Sequence, residues 1–262
     1  MLKDLGIKEP PVKVEPILEY FGIELEQLKD QEIKELQKRC GINIDVPAFL
    51  YRKGDKAKIF VRENEIPERK RLSIFHECGH YDIPWHRGVN YMCDCKSCNE
   101  EKMKDLEKEA FRYAGGLMFP SKSFNDDIND LPVSMQSISN LAEKYEASFE
   151  ATAIKYIQSH PGKCAILYLI PILKLGAKHF FYQVKYSIKS KNFHRYWKTG
   201  TQVKYHGMLE SSKIEGTGLC GEIPASIFGS TKKHNYYVEV KTYGPLYLCV
   251  FLKLKDKQTK LL

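Results

Sequence analysis

The sequence predicts an α+β protein with a helix-rich N-terminal part and a strand-rich C-terminal part. Three observations carry that prediction. Apolar residues keep helical three-to-four spacing through most of residues 12–158. Pro161-Gly162 breaks the pattern, and runs rich in β-branched and aromatic residues follow from Cys164 onward. The charge changes at the same place. Residues 1–160 carry 24 Lys/Arg against 28 Asp/Glu, a net of −4, and residues 161–262 carry 17 against 5, a net of +12. A chain of 262 residues exceeds one typical domain. We therefore expect a first domain over 1–130, a helical pair over 131–160 and a basic strand-rich domain over 161–262.

Each element has a local reason. Val12, Ile17, Leu18 and Phe21 follow a Pro pair and predict a helix that Gly22 ends. Leu25, Leu28, Ile33 and Leu36 predict a second helix. Residues 48–51 and 58–61 flank Lys53-Gly54-Asp55 and read as a hairpin. Pro67 opens a helix through Ile74, Phe75, Cys78 and Tyr81, which Pro84 and Gly88 stop. A Cys-rich loop spans 90–101, and a further helix runs over 105–118 to Pro120. Asp126, Asp127, Asp130 and Pro132 read as a linker, and two short helices over 134–158 meet near Ala147-Ser148. Strands are expected at 164–170, 180–188, 236–240 and 246–254.

Composition narrows the functional classes. Hydrophobic residues at 43% and charged residues at 28% exclude a disordered chain, a collagen and a coiled coil. The longest apolar stretch, residues 164–173, contains Pro171 and is half of the roughly 20 residues a membrane span needs. The N-terminus has no apolar signal region, so a cytoplasmic protein is expected. In that setting the eight cysteines read as reduced thiols or metal ligands rather than disulfides.

The strongest chemical signal is His76-Glu77-Cys78-Gly79-His80, an HExxH pentad inside a helix. Residues i and i+4 share a helical face, so both imidazoles reach one ion. Glu77 is turned about 100° from His76, placing it as the base for a water rather than as a ligand. Catalytic zinc takes three protein ligands and leaves a position open. Two candidates exist for the third. His86 follows His80 by six residues, but Ile83 stands where a sharp turn needs Gly, and His86 reads as a surface or pocket-rim residue. Glu107 shares a helical face with Ala110, Phe111 and Ala114, which reads as the buried face, and a buried carboxylate needs a partner such as a metal. Glu109 lies on the opposite, more exposed side with Arg112 and Tyr113.

Cys93, Cys95 and Cys98 form a second cluster, with His86 or Cys40 as a possible fourth ligand. Three thiols in six residues suit a structural zinc, and a redox loop or plain reduced thiols are the alternatives. The helices over 134–158 resemble a helix-turn-helix. Acidic Glu143, Glu146 and Glu150 nearly balance Lys144 and Lys155, which favours packing over DNA reading. Residues 174–204 hold eight Lys/Arg and no acid, interleaved with aromatics that include Phe193 and Trp197. Such a segment binds nucleic acid, or serves as a sensor or docking surface, or is a scaffold with an aromatic core face and a solvated lysine face.

The segments 69–80 and 107–120 together resemble the ImmA/IrrE family of zinc metallopeptidases. The first is an Arg-rich approach to HExxH; the second is a Glu-x-x-Ala helix ending in Leu-Met-Phe-Pro. The resemblance covers roughly residues 12–160. It implies a small zincin-like peptidase domain with His76, His80 and Glu107 on zinc and Glu77 as general base. It also implies a cytoplasmic protease whose targets are helix-turn-helix repressors, cleaved to switch on a stress response or a mobile element. Family members often carry a C-terminal mixed α/β domain that senses a signal, so the resemblance implies a sensing or docking role for residues 161–262. Phe111 stands where the family carries Asn or Asp, and Gly115-Gly116, which replace family residues, weaken the helix. These departures leave a second reading, a non-catalytic zinc-stabilised regulator that binds a repressor or DNA without cutting. Tyr81, His86 and Tyr113 are the candidates for stabilising the oxyanion.

Overall fold

The computed structural model describes residues 1–39, 46–54, 56–86, 100–129, 131–172, 181–204, 207–209, 219–229, 235–243 and 247–254. The fold is α+β. Contacts divide the chain into two units: Met1–Phe124 with Ala142–Ser148, and Asn125–Leu141 with Phe149–Leu262. The helical pair expected over 131–160 is thus shared between them.

In the first unit, α1 (Val14–Phe21) ends at Gly22, whose φ of 64° is the left-handed conformation a helix C-terminus favours. The chain then enters β1 (Ile23–Leu28), followed by α2 (Asp30–Arg39), β2 (Ala48–Lys53) and β3 (Lys56–Arg62). The sheet order is β1-β3-β2, with β1 parallel and β2 antiparallel to β3. This corrects the expected helix from Leu25. Ile23-Glu-Leu-Glu alternates with period two, and Lys58 Nζ on β3 lies 3.1 Å and 3.0 Å from the Glu24 and Glu26 carboxylates. Helix α2 starts only at Asp30.

Helix α3 (Pro67–Asp82) has Pro in its first turn, where a missing N–H costs nothing, and packs against β2 and β3. A short 3₁₀ turn, Pro84–His86, follows. Helix α4 (Glu100–Met118) lies against α3. Ile59, Val61, Ile74, Phe75, Cys78, Ala110 and Ala114 form the buried interior between these layers. Of the residues expected as a linker, Asp126 and Asp127 belong to α5 (Ser121–Asn129), because Phe124 and Ile128, four apart, are both buried while Asp126 is exposed and Asp127 half-buried.

Helices α6 (Met135–Lys144) and α7 (Phe149–Ser159) form the predicted pair. In the turn between them Glu146 has φ of 45°, and Ala147 N–H reaches Ala142 O at 2.8 Å. The turn is tied to the rest of the first unit. Buried Arg71 on α3 donates to Tyr145 O, to Glu146 Oε2 (3.4 Å) and to Met118 Sδ (3.2 Å), and Lys13 Nζ meets Glu146 at 2.8 Å.

The second unit is built on a six-stranded antiparallel sheet, order β6-β5-β4-β9-β8-β7. Its strands are β4 (Cys164–Ile172), β5 (Phe181–Lys189), β6 (Gln202–Val203), β7 (Leu219–Pro224), β8 (Asn235–Tyr243) and β9 (Tyr247–Leu254). Tyr182, Phe193, Trp197, Phe228 and Tyr236 fill its core, and Trp197 Nε1 donates to Phe228 O at 2.9 Å. The aromatics Tyr182, Phe193 and Trp197 of the basic segment are therefore core residues, not exposed stacking platforms. Among the described residues no helix is long and apolar enough to cross a membrane.

Candidate metal centre

One turn of α3 separates His76 from His80, so both rings leave the same face, and both are buried. The residue between them that matters most for packing is Gly79. A Cβ there would stand 3.1 Å from Tyr113 Cβ and 3.2 Å from the Ala110 Cα and carbonyl oxygen. The missing side chain lets α4 approach closely enough for Glu107 to reach the histidines. His76 Nε2 lies 3.0 Å from Glu107 Oε2, His80 Nε2 lies 3.4 Å from Glu107 Oε1, and the two Nε2 atoms are 3.0 Å apart.

Two imidazole nitrogens facing one another need something between them. Ligands about 2.0–2.1 Å from a tetrahedral zinc stand roughly 3.3 Å from each other, which is close to the three distances here. The donor set, two neutral nitrogens and a carboxylate, is one that zinc takes in catalytic sites. The residues thus fit a metal ion, and their ligating atoms all lie within 4.8 Å of one another. Burial alone raises the Glu107 carboxyl. The hydrogen bonds and charge of His76 and His80 outweigh it and hold the group at about 2. Burial is also the main reason that the His80 imidazole is less basic than usual.

Glu77 points elsewhere, its Oε2 accepting the Leu50 N–H of β2 at 2.9 Å. Burial first, and then the negative charge of Glu107, push its carboxyl up to about 8, against the pull of that N–H. Strand β2 was not singled out from the sequence as part of the site. Besides Leu50, it supplies Arg52, whose guanidinium donates to His80 O at 2.6 Å. Glu77, His76, His80 and Glu107 open into a cleft of about 380 Å³ whose apolar lining includes Phe49, Leu50, Leu72, Met103 and Phe111.

Two expectations about side chains are corrected. Phe111, placed on the buried face of α4, is 55% exposed, and its ring sits over His76 with 4.2 Å between ring centres. His86, read as a surface or pocket-rim residue, is completely buried and meets His80. The cause is the turn after Asp82, which folds the chain back along α3 where Glu109 of α4 receives His86 Nε2 at 3.0 Å. None of the three oxyanion candidates lines the cleft. Tyr113 O–H donates to Asp82 Oδ2 at 2.9 Å, and Tyr81 packs under the Arg52 guanidinium. Cys93, Cys95 and Cys98, with Cys40, lie outside the described residues.

A model of the IrrE N-terminal-like domain, the Peptidase M78 family, matches residues 18–156. The chain belongs to the M78 peptidase family. The match begins within α1 and ends within α7, so it takes in both helices that carry the cluster. Among solved structures, a Mycobacterium tuberculosis transcriptional regulator has the same fold at a TM-score of 0.55 and 13% identity, covering 96% of this chain and 72% of that one. No curated protein matches the sequence. In this M78 family member the HExxH helix, the Glu107 helix and the edge strand β2 form one layered site within the first unit.

Proposed function

We propose that this protein is a zinc-dependent endopeptidase that cleaves a regulatory protein, a helix-turn-helix transcriptional repressor, to switch on a stress or mobile-element response in the cytoplasm. The observation that carries the reading is the convergence of His76, His80 and Glu107 beside Glu77 at the floor of an open cleft. The repressor as substrate rests on the family and accords with a structural neighbour named as a transcriptional regulator. The basic strand-rich region over 161–262 is the proposed sensing or docking part.

Zinc held by His76, His80 and Glu107 would supply Lewis acidity to the scissile carbonyl and to the attacking water. Glu77 takes the proton of that water and delivers it to the leaving amine. A half-buried carboxyl raised towards neutrality suits both halves of that task, and a bound cation would favour its ionised form. Leu50 N–H fixes the carboxylate against β2. Strand β2 is an edge of its sheet, so an extended peptide can lie alongside it with apolar side chains in the cleft.

The first test is Glu77→Gln. The variant keeps zinc, measured by elemental analysis of the purified chain, and loses cleavage of the repressor. Undiminished turnover would refute the mechanism. Phe111 over His76 favours a second reading, in which the protein retains zinc for stability and regulates by binding alone. Repressor release that survives Glu77→Gln would decide for it.

A further inference from the structure

We infer that His86 is a positioning residue for the metal centre, which holds the His80 ring with its Nε2 lone pair directed at the cluster through a proton relay anchored on Glu109. The inference rests on the reading of His76, His80 and Glu107 as zinc ligands. His80 Nδ1 lies 2.9 Å from His86 Nδ1, and His86 Nε2 lies 3.0 Å from Glu109 Oε2. The same carboxylate oxygen receives the Trp85 indole N–H at 2.6 Å.

The proton positions follow from donor and acceptor chemistry. An indole N–H only donates, and an ionised carboxylate only accepts. Glu109 Oε2 is therefore an acceptor, and His86 Nε2 carries the proton that faces it. In a neutral imidazole the other nitrogen is then an acceptor, so His86 Nδ1 presents a lone pair to His80. His80 Nδ1 must donate to it, which leaves His80 Nε2 unprotonated beside His76 and Glu107. The reverse order would set a lone pair of His86 against the carboxylate and place a proton on His80 Nε2, where the metal binds. Metal-ligating histidines usually donate directly to a carboxylate or carbonyl. Here a second imidazole is inserted between the ligand and the acid.

Burial makes the arrangement matter. His86 is fully buried, whereas the Glu109 side chain is 37% exposed. The relay therefore runs from the protein surface to an enclosed ring, where loss of the middle member leaves the His80 N–H without that acceptor. The backbone holds His86 in place, since its N–H donates to Ile83 O at 3.1 Å in the Pro84–His86 turn.

The test uses the full chain and zinc competition against a chromophoric chelator. His86→Ala is expected to weaken zinc binding 10–100-fold. His86→Asn, which keeps an acceptor oxygen near the Nδ1 position, recovers most of the affinity. Ring nitrogen-15 NMR of the zinc-loaded native chain shows the proton on Nδ1 of His80 and on Nε2 of His86, and Glu109→Ala blurs the His86 preference. Native affinity in His86→Ala, or an Nδ1 proton on His86, overturns the relay. If His86→Ala does not fold, the Asn variant and the native tautomers still decide. Glu107→Ala separates the two readings: zinc binding that depends on Glu107 and not on His86 sinks the relay alone. A native chain that binds no zinc, or binds it unchanged in Glu107→Ala, overturns both.

Discussion

Two carboxyl groups at the site are driven in opposite directions by their surroundings. Glu77 is desolvated at the half-buried cleft wall and faced by the charge of Glu107, so it rises to about 8, while the two imidazoles hold Glu107 at about 2. In the proposed mechanism that split separates the ligand Glu107, which must stay ionised, from the base Glu77, which must exchange a proton. Cys78, between the histidines, serves neither role. Burial, with lesser repulsion from Glu77 and Asp82, pushes its thiol from 9.0 up to about 12. The thiolate is the reactive form, so Cys78 stays inert while the exposed Cys220 alkylates readily. Peptide mapping after native iodoacetamide treatment checks this, and early labelling of Cys78 would count against a closed core. The linkage has a defined sign. A thiol whose folded pKa is raised contributes stability below its unfolded value, and that contribution is lost as pH rises from about 9 towards 12.

At the scale of elements, the approach of α4 to α3 decides whether Glu107 meets the histidines. Gly79 marks the contact, because a methyl group there meets Tyr113 and the Ala110 backbone, and backbone cannot swing aside. Gly79→Ala should therefore push the helices apart and weaken zinc binding. Gly116→Ala should do the reverse for stability. A methyl at position 116 meets nothing within 4 Å, and Ala in place of Gly stabilises a helix interior by up to about 1 kcal/mol. Thermal unfolding and zinc titration of both variants test the pair, and a destabilised Gly116→Ala would show that the helix needs that glycine. The weakening expected from Gly115-Gly116, through which α4 runs unbroken, is thus open to repair without touching the site. The four residues Ile-Glu-Leu-Glu fit a helix and a strand almost equally, and the parallel ladder with β3 settles the choice for β1.

For the whole molecule, the proposed metal site lies entirely in the first unit. Zinc that binds the folded state alone should raise that unit's apparent stability by roughly 2.7 kcal/mol at a hundred times its Kd. Scanning calorimetry with and without zinc, on the native chain and on His80→Ala, reads the effect. A shift that persists in His80→Ala would place the stabilising metal elsewhere. The +12 charge of residues 161–262 belongs to the second unit, where Tyr182, Phe193 and Trp197 of the basic segment fill the core while Tyr196 is exposed. Among the described residues of that segment, Lys185, Lys191 and Lys198 are exposed and make it a solvated basic surface.

How much of this was legible in the residues depends on distance along the chain. The HExxH face was readable because residues four apart on a helix are neighbours whatever surrounds them, and Glu107 because its own helix carries a recognisable pattern. The α-then-β order was readable from periodicity and from the charge change at residue 160. The pairing of β1 with β3, the Leu50 N–H on Glu77, the ring of Phe111 over His76 and the burial of His86 were not. Each depends on where two segments meet in space, and no local pattern encodes which atom faces which. For His86 the deciding step was the turn at Pro84, which set a histidine with a surface-like sequence context between a buried ligand ring and a carboxylate on another helix.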